Sequence, residues 1–493
     1  MNLDELRRSI DEIDTELIRL FEKRMRVAAE IAGYKKAHQL PVLDASREKA
    51  KLQDVASKLP EDLQEYGCAL YEKLFALSRE HQSQLLGGRC GLLGRTLGHS
   101  YSPQIHAELG SYEYLLYEKE PGELEAFLKS GSFDGLNVTI PYKKAVIPYC
   151  AELSEIAKEI GSVNTLVRRP DGTLYGDNTD AFGMESLILH RGIAVAGKKA
   201  LVLGSGGTSV TASAVLKKLG AREVIVISRS GEHNYGNITQ HADAGIIVNT
   251  TPVGMYPRNG ESPVDLRQFP NCSGVVDAIY NPARTALLLQ AEELGIPCTG
   301  ALYMLVAQAK RSAEVFTGRS IDNEEIARIE QKLRRQMQNI VIVGMPGSGK
   351  STVSQALGEL LGRPVIDTDA EIERRAGMTI PDIFARYGEA HFRTLETEVL
   401  QDMGKLSGQI ISTGGGSVTR EENYVPLHQN GTILWIERDL EKLARDGRPL
   451  SLNGDLAQMY EKRRPCYERF ADIRIDNNGS MDETVSRIME VLT

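Results

Sequence analysis

The segment from Asn339 to Thr352 constrains this chain more than any other. An apolar run, Ile340-Val-Ile-Val343, leads into Gly344-Met-Pro-Gly347-Ser348-Gly349-Lys350-Ser351-Thr352, and a helical pattern follows. Strand, glycine-rich turn and Gly-Lys-Ser, in that order, make a complete phosphate-binding loop. The glycines let successive backbone N–H groups face phosphate oxygens, and the helix N-terminus adds positive potential. Lys350 is placed to reach the outer phosphates of a nucleoside triphosphate, and the Ser351 hydroxyl to ligate Mg²⁺. Such a loop needs a parallel sheet behind it, so residues 339–493 read as one α/β unit.

The rest of the chain has two other textures. Residues 1–87 are poor in glycine, and Leu3, Leu6, Ile10, Ile13, Leu17, Leu20, Phe21, Val27 and Ile31 recur at helical spacing. One helix from about Leu3 to Lys36 spans roughly 50 Å at 1.5 Å per residue. Pro41 ends it; a second helix starts near Ala45 and a third runs from Pro60 to about Leu86. A first helix that long cannot bury its stripe against two shorter ones, so two chains are expected to pack here. Gly87-Gly88 breaks the pattern, and strands then alternate with helices. The expected strands are Cys90–Leu93, Leu136–Ile140, Asn164–Arg168, Lys199–Gly204, Val224–Ser228, Gly245–Thr250 and Gly274–Ala278, in a mainly parallel sheet. A charged helix, Asn323 to Gln338, bridges to the phosphate-loop segment.

Composition narrows the class. The 493 residues suit two to four domains. A net charge of −9 argues against nucleic acid as the main partner, because phosphodiester binding relies on clustered Lys and Arg. No stretch reaches the length of a membrane span, and the first residues lack the pattern of a signal peptide. Six scattered cysteines form no Cys-x-x-Cys pair. These features are those expected of a reduced, cytoplasmic enzyme acting on small molecules.

After the phosphate loop come Asp367-Thr-Asp369, Phe392-Arg393-x-x-Glu396, Gly414-Gly415-Gly416, Arg448-Pro-Leu and Arg463-x-x-x-Tyr467. Asp367 and Asp369 are read as closing the second strand, with alternation putting both carboxylates on one face. In this order the set resembles shikimate kinase over the whole segment. The resemblance implies that Asp369, Arg393, Gly415, Gly416 and Arg463 hold shikimate, with Asp369 orienting the acceptor hydroxyl. It further implies that Glu396 supports Arg393, that Asp367 serves Mg²⁺ with Ser351, and that Arg448 in a short lid faces the ATP phosphates.

The middle segment has a second glycine-rich turn, Gly204-Ser205-Gly206-Gly207-Thr208, between a strand and a helix, of the kind that binds dinucleotides. The next strand ends in Ser228-Arg229, where a reader of unphosphorylated ribose carries Asp or Glu; Arg229 suits a 2′-phosphate. With Ser100-Tyr-Ser102-Pro, Asn137-Val-Thr139-Ile-Pro-Tyr-Lys143, Ser162-Val-Asn164-Thr165, Gly176-Asp-Asn-Thr-Asp180, Asn249-Thr-Thr-Pro-Val-Gly254, Tyr280 and Met304-Leu-Val-Ala-Gln308, the segment resembles shikimate dehydrogenase from about 90 to 320. That resemblance implies a substrate lobe of about 88–180 plus 301–322 and a Rossmann NADP lobe of about 181–300. It implies that Ser100, Ser102, Thr139, Asn164, Tyr280 and Gln308 bind substrate, and that Lys143 and Asp180 form the catalytic pair. The family commonly has Ala where Thr208 stands, and Gly where Ala301 follows Gly300.

On the helical segment, Arg7, Arg24 and Lys35 are read as one inward-facing stripe of cations, which calls for an anionic ligand. Asp44, Arg47 and Glu48 surround the start of the second helix, and Ser78 and Gln82 are spaced i, i+4 on the third. Together they resemble the all-helical, intertwined-dimer chorismate mutase over residues 3–86. The resemblance implies that Arg24, Arg47 and an Arg7 from a second subunit hold two carboxylates, that Lys35 and Gln82 bond the ether oxygen, and that Glu48 and Asp44 take the ring hydroxyl beside Ser78.

The expectation is therefore a multidomain, cytoplasmic, trifunctional homodimer using NADP(H), ATP and Mg²⁺. Its parts are an all-α mutase at 1–87, an α/β dehydrogenase at 88–322, a linker helix at 323–338 and an α/β kinase at 339–493. Two rival readings stand beside it. One makes residues 1–87 a non-catalytic dimerisation or effector module; the other makes the middle segment a quinate-type enzyme using NAD.

Overall fold

The computed structural model describes residues 2–37, 45–86, 88–98, 100–110, 112–443 and 456–492. The chain forms two compact units: 1–183 with 306–325, and 184–305 with 326–493.

The first unit begins with α1 (Leu3–Ala37), α2 (Ala45–Lys58) and α3 (Gln64–Leu86), and both α1 and α2 pack on α3. Only the C-terminal part of α1 is covered within one chain. Ala28 and Ala32 are buried there, whereas Leu3, Leu6, Ile10, Ile13, Leu17 and Ile18 stand in solvent. That exposed stripe is what the helix-length argument anticipates.

A six-stranded sheet follows, in the order Glu113–Glu118, Arg89–Gly94, Gly135–Val138, Thr165–Arg168, Leu174–Asp177, Glu152–Leu153. Its first three strands are parallel, but Thr165–Arg168 runs antiparallel to both neighbours. The sheet is mainly parallel, as expected, with this one strand reversed. The reason is the tight return through Asp171 and Gly172, whose left-handed backbone (φ +87°) makes a hairpin. Leu93, Phe133, Leu136, Val146 and Leu166 form the core beneath the sheet, all with no exposed surface.

The second unit holds two sheets that are parallel throughout. One runs Cys298–Thr299, Val275–Asp277, Ile246–Asn249, Lys199–Leu203, Glu223–Ile227; the other runs Val365–Asp367, Ile410–Ser412, Asn339–Val343, Gly431–Glu437, Ile473–Asp476. The interior strands Lys199–Leu203 and Asn339–Val343 are buried at every position, as strands covered on both faces must be. Each runs straight into its glycine-rich turn, which puts both turns at the carboxyl ends of the strands, where open α/β sheets bind ligands. The bridging helix is Glu324–Met337.

Phe133 is fully buried, packs against Phe127 with ring centroids 5.4 Å apart, and lies under the Arg168 guanidinium at 4.6 Å. Phe133→Ala removes that packing and should cost about 3–5 kcal/mol. Thermal inactivation of the unit carrying residues 88–183 is expected to precede unfolding of the 339–493 sheet, whereas coincident loss in both would contradict an independent core.

Candidate active sites

In the first unit the charged pair expected from the sequence is formed. Lys143, in the turn after Gly135–Val138, donates from Nζ to Asp180 Oδ2 at 2.6 Å. Asp180 sits in the first turn of the helix Thr179–His190. Its other oxygen, Oδ1, accepts from Asn164 Nδ2 at 2.8 Å, and Asn164 Oδ1 accepts the Thr179 N–H at 2.7 Å. Lys143 and Asp180 keep side-chain exposures of 28% and 19%, so a ligand can reach both.

Behind them lies a buried hydroxyl cluster. The Thr165, Thr179 and Ser312 oxygens lie 2.9–3.1 Å from one another, and Asn137 Nδ2 donates to Ser312 at 2.7 Å. Ser312 also donates to the backbone carbonyl of Gln308 at 2.9 Å, which ties the helix Leu302–Thr317 to the pair's supports. Sequence reasoning gave Ser312 no role; its only signal is its place one turn after Gln308. Ser100 and Ser102 are adjacent, the Ser102 N–H donating to Ser100 Oγ at 3.2 Å. Thr139 is half-buried, and its N–H donates to the Leu93 carbonyl at 2.9 Å. Tyr280 belongs to the second unit, where it follows Val275–Asp277.

The dinucleotide-type turn is open where a ligand must approach. Gly204 adopts φ +105°, and a side chain there would strike Thr251 and Thr250 at 2.9 and 3.0 Å. Gly206 caps the helix Gly207–Lys218, and both glycines face empty space. Ser205 and Arg229 are exposed, while Thr208 and Ser228 are half-buried. Beyond Arg229, His233 Nδ1 lies 3.1 Å from His241 Nε2.

In the phosphate loop, Gly347 and Gly349 take φ +84° and +94°, and Ser348 is fully buried between them. Lys350 Nζ donates to the Gly344 and Met345 carbonyls, each at 3.0 Å, which folds its ammonium over the loop. Ser351 and Thr352 are exposed at the start of the helix Lys350–Leu361. Ser351 Oγ donates to Asp367 Oδ2 at 3.2 Å.

Asp369 is a correction to the strand reading. The strand ends at Asp367, which caps the helix Thr368–Ala376 by accepting the Asp369 and Ala370 N–H groups at 3.0 and 3.2 Å. Asp369 therefore lies in a helical first turn, and the cap rather than β alternation brings the two carboxylates together. Burial, then the negative charges of Asp367 and Glu396, raise the Asp369 carboxyl to about 6.

The glycine triplet explains how the remaining side chains converge. A Cβ on Gly414 would lie 2.7 Å from Asp369 Oδ1 and 3.0 Å from Glu396 Oε1; one on Gly415 would meet Pro346 at 2.6 Å; one on Gly416 would overlap the Arg393 guanidinium. Arg393 donates to Glu396 at 2.7 Å, and both are buried. Arg463 Nη1 and the Tyr467 hydroxyl both donate to the Gly415 carbonyl, at 3.1 and 2.6 Å.

In the helical segment Arg24 is half-buried and donates to the Leu74 carbonyl at 3.2 Å and to buried Ser78. Arg7 is a second correction: its side chain is 68% exposed beside Asp4. Seventeen residues at 100° each leave it about a quarter turn from Arg24, so the two do not share a face. Arg47 is exposed and Glu48 half-buried. Asp44, Arg448 and the side chains of Lys35 and Gln82 lie outside the described residues.

Family models match in the same places: "Chorismate mutase type II" over residues 6–83, "Shikimate dehydrogenase substrate binding domain" over 92–166 and "Shikimate kinase" over 346–493. A shikimate dehydrogenase (NADP(+)) of Clostridium beijerinckii is 34% identical over 253 residues, 48% of this chain and 93% of that relative. The chain belongs to the shikimate dehydrogenase family. The dehydrogenase of Halothermothrix orenii is 35% identical over 267 residues, covering 46% of this chain and 90% of its own length. A solved chorismate mutase/shikimate 5-dehydrogenase fusion from Clostridium acetobutylicum is 36% identical, with a TM-score of 0.48, covering 50% of this chain and 97% of its own. Here the dehydrogenase is joined to mutase and kinase regions in one polypeptide, a trifunctional enzyme of aromatic amino-acid biosynthesis.

The raised Asp369 carboxyl fixes a sign. Its folded value, about 6, lies above the ordinary 3.8, so folding favours the protonated form. That contribution is complete below pH about 3.8 and is lost as pH rises through about 6. Comparing denaturant melts of the parent with Asp369→Asn, the parent's relative stability should fall across this window; a pH-independent difference would refute the perturbed carboxyl.

Proposed function

We propose that the chain reduces 3-dehydroshikimate to shikimate with NADPH, phosphorylates shikimate to shikimate 3-phosphate with ATP, and rearranges chorismate to prephenate. The observation that supports the first reaction best is the Lys143–Asp180 pair, held by Asn164 and partly open to solvent. Bound NADPH supplies the hydride. Reduction of a ring ketone builds negative charge on its oxygen; the Lys143 ammonium stabilises that charge and gives up a proton. Asp180 holds the Lys143 side chain in place. Ser100, Ser102, Thr139, Asn164, Tyr280 and Gln308 receive the substrate's carboxylate and hydroxyls. Gly204, Ser205, Gly206, Gly207, Thr208 and Ser228 form the dinucleotide turn, and Arg229 takes the 2′-phosphate.

For phosphoryl transfer, Gly347–Thr352 cradles the ATP phosphates, with Lys350 moving from the loop carbonyls to the γ-phosphate and Arg448 closing from above. Ser351 and Asp367 are hard oxygen donors in mutual contact. They suit Mg²⁺, which takes few protein ligands and completes its shell with water and phosphate, and which would neutralise the developing charge. Asp369 accepts the acceptor hydroxyl's proton. Arg393, held by Glu396, and Arg463 pair the shikimate carboxylate beside Gly415 and Gly416.

For the mutase, Arg24 and Arg47, with Arg7 from a second copy, take the two carboxylates. Lys35 and Gln82 stabilise the ether oxygen of a pericyclic step that needs no nucleophile. Glu48, Asp44 and Ser78 complete the pocket. The exposed stripe on α1 supports pairing of two copies through this segment. The domains we assign are 1–87, 88–322 and 339–493, joined by 323–338.

One purified sample, assayed with 3-dehydroshikimate plus NADPH, shikimate plus ATP and Mg²⁺, and chorismate, tests all three. Lys143→Ala should lower dehydrogenase kcat by about 10²–10⁴-fold and leave the other two rates intact. Arg24→Ala should abolish prephenate formation with the dimer preserved; a parent without mutase activity would instead favour a non-catalytic helical module. Faster turnover with NADH and quinate than with NADPH and shikimate would overturn the cofactor and substrate assignment. Kinase kcat/KM should fall tenfold per pH unit below about 6 as Asp369 protonates; a flat profile would remove its role as base.

A further inference from the structure

The second unit contains a cavity whose lining includes, of the residues assigned above, Tyr280 alone. It lies between the helix Ala286–Glu293, the end of strand Cys298–Thr299, the helix Glu324–Met337 and the turn His428–Gly431, and encloses about 250 Å³. At about 30 Å³ per water it holds roughly eight waters, the room a small single-ring molecule needs.

Its walls are built rather than incidental. The Ala283 and Arg284 N–H groups donate to Asn430 Oδ1 and the Gln429 carbonyl, each at 2.9 Å, and Arg284 Nη1 reaches the His428 carbonyl at 3.3 Å. The loop presenting Arg284 is pinned from behind, where Thr285 donates to buried Asp277 at 2.7 Å.

Three guanidinium groups line the cavity: Arg191, Arg284 and Arg334. The carboxylates among their ion-pair partners are two, Glu292 at 3.8 Å from Arg284, and Glu330, which Arg191 approaches at 3.8 Å and Arg334 also pairs. Arg191 and Arg284 therefore meet their carboxylates only at 3.8 Å, beyond hydrogen-bond distance, although with Asp472 beside His428 the charges balance. His428 also lines the cavity, is 8% exposed and stacks on Tyr424 at 4.6 Å. Its Nε2 faces Asp472 Oδ1 at 3.4 Å, and its Nδ1 is buried with no hydrogen-bond partner among the described residues. With the proton on Nε2, toward Asp472, Nδ1 is an acceptor that lacks a donor. Burial keeps the ring neutral by lowering its pKa.

We propose that this cavity is a separate binding site for a small hydroxylated carboxylate, the carboxylate facing Arg191, Arg284 and Arg334 and a hydroxyl donating to His428 Nδ1. A carboxylate supplies close acceptors to Arg191 and Arg284, whose own carboxylates stand 3.8 Å away, and a hydroxyl satisfies the orphaned nitrogen. The cavity is shared by the segment Gly300–Leu302 of the dehydrogenase lobe and the turn that enters the kinase strand Gly431–Glu437. Its occupant therefore touches both.

The test is equilibrium dialysis of labelled shikimate on the full chain, comparing the parent with Arg191→Gln/Arg334→Gln and with His428→Leu. Arg191 and Arg334 are 37% and 44% exposed, so the double variant retains its fold. The expected result is one bound shikimate per chain fewer, or at least tenfold weaker, in both variants, with the shikimate KM values of dehydrogenase and kinase unchanged. Identical stoichiometry and affinity in all three proteins would overturn the proposal. Inorganic phosphate is the second probe: if it binds with the same dependence on Arg191 and Arg334 while shikimate does not, the site takes a bare anion and the hydroxycarboxylate assignment falls. The choice of shikimate rests on the functional reading above, but the phosphate arm reports on the cavity even if all three activities were absent.

Discussion

A buried charge without a partner is too costly for a protein domain to keep, and this requirement organises the dehydrogenase and kinase regions. Asn164 shows it most directly. Its amide spans Asp180 and Thr179, so the carboxylate facing Lys143 is held from a second side while the helix carrying it is fixed at its first turn. Arg393 and Glu396 solve the same problem in the kinase region: each is buried, and each is the other's counter-ion. The mutase region differs. Among the described residues Arg24 meets the Leu74 carbonyl, the Ser78 hydroxyl and the face of the Phe75 ring, and no carboxylate.

How much of this was legible depended on whether the cause was local. The phosphate loop, the Gly204–Gly207 turn and the three long helices follow from chain-local geometry, although the third helix starts at Gln64 rather than Pro60, after a 3₁₀ turn at Glu61–Leu63. Four strands of the middle segment, Leu174–Asp177 among them, are absent from the sequence reading. Glu152–Leu153 and Cys298–Thr299 are two residues each, too short for any periodicity, and Glu113–Glu118 is an edge strand whose apolar residues are largely exposed. The alternation of Asp-Thr-Asp suggests a strand through Asp369. In fact the Asp367 carboxylate caps two N–H groups, and a helix start outcompeted one more strand residue. Ser312 was invisible for another reason. Its partners Asn137, Thr165 and Thr179 lie more than 130 residues away in sequence, and a serine in mid-helix carries no pattern of its own.

The helical segment shows where reasoning about a single chain stops. The stripe on α1 was read correctly as apolar, and the length argument led to the idea of a second copy. The angular argument for Arg7 did not hold, because residues are fixed on a helix by 100° steps and seventeen of them do not close a turn. An Arg7 far from Arg24 in one protomer is still compatible with an Arg7 that completes a pocket across a pair of protomers. The exposed Leu3, Ile10 and Leu17 favour such a pair, since burying each is worth about 1.5–3 kcal/mol.

Joining the three regions in one polypeptide matters differently for each. Shikimate is the product of the reduction and the substrate of the phosphorylation, whereas chorismate enters later, so a shared chain serves the first two as neighbours and the third only as a passenger. The contacts within the second unit fit that distinction. Backbone groups of the dinucleotide lobe at Ala283 and Arg284 bond directly to Gln429 and Asn430 beside the kinase strand. Such bonds hold only while both partners keep their conformation. The loop after Asp277 and the turn before Gly431 are therefore mechanically linked, and a ligand that orders one orders the other. A flexible tether would have needed none of these bonds. Their presence makes the junction between reductase and kinase part of the folded core.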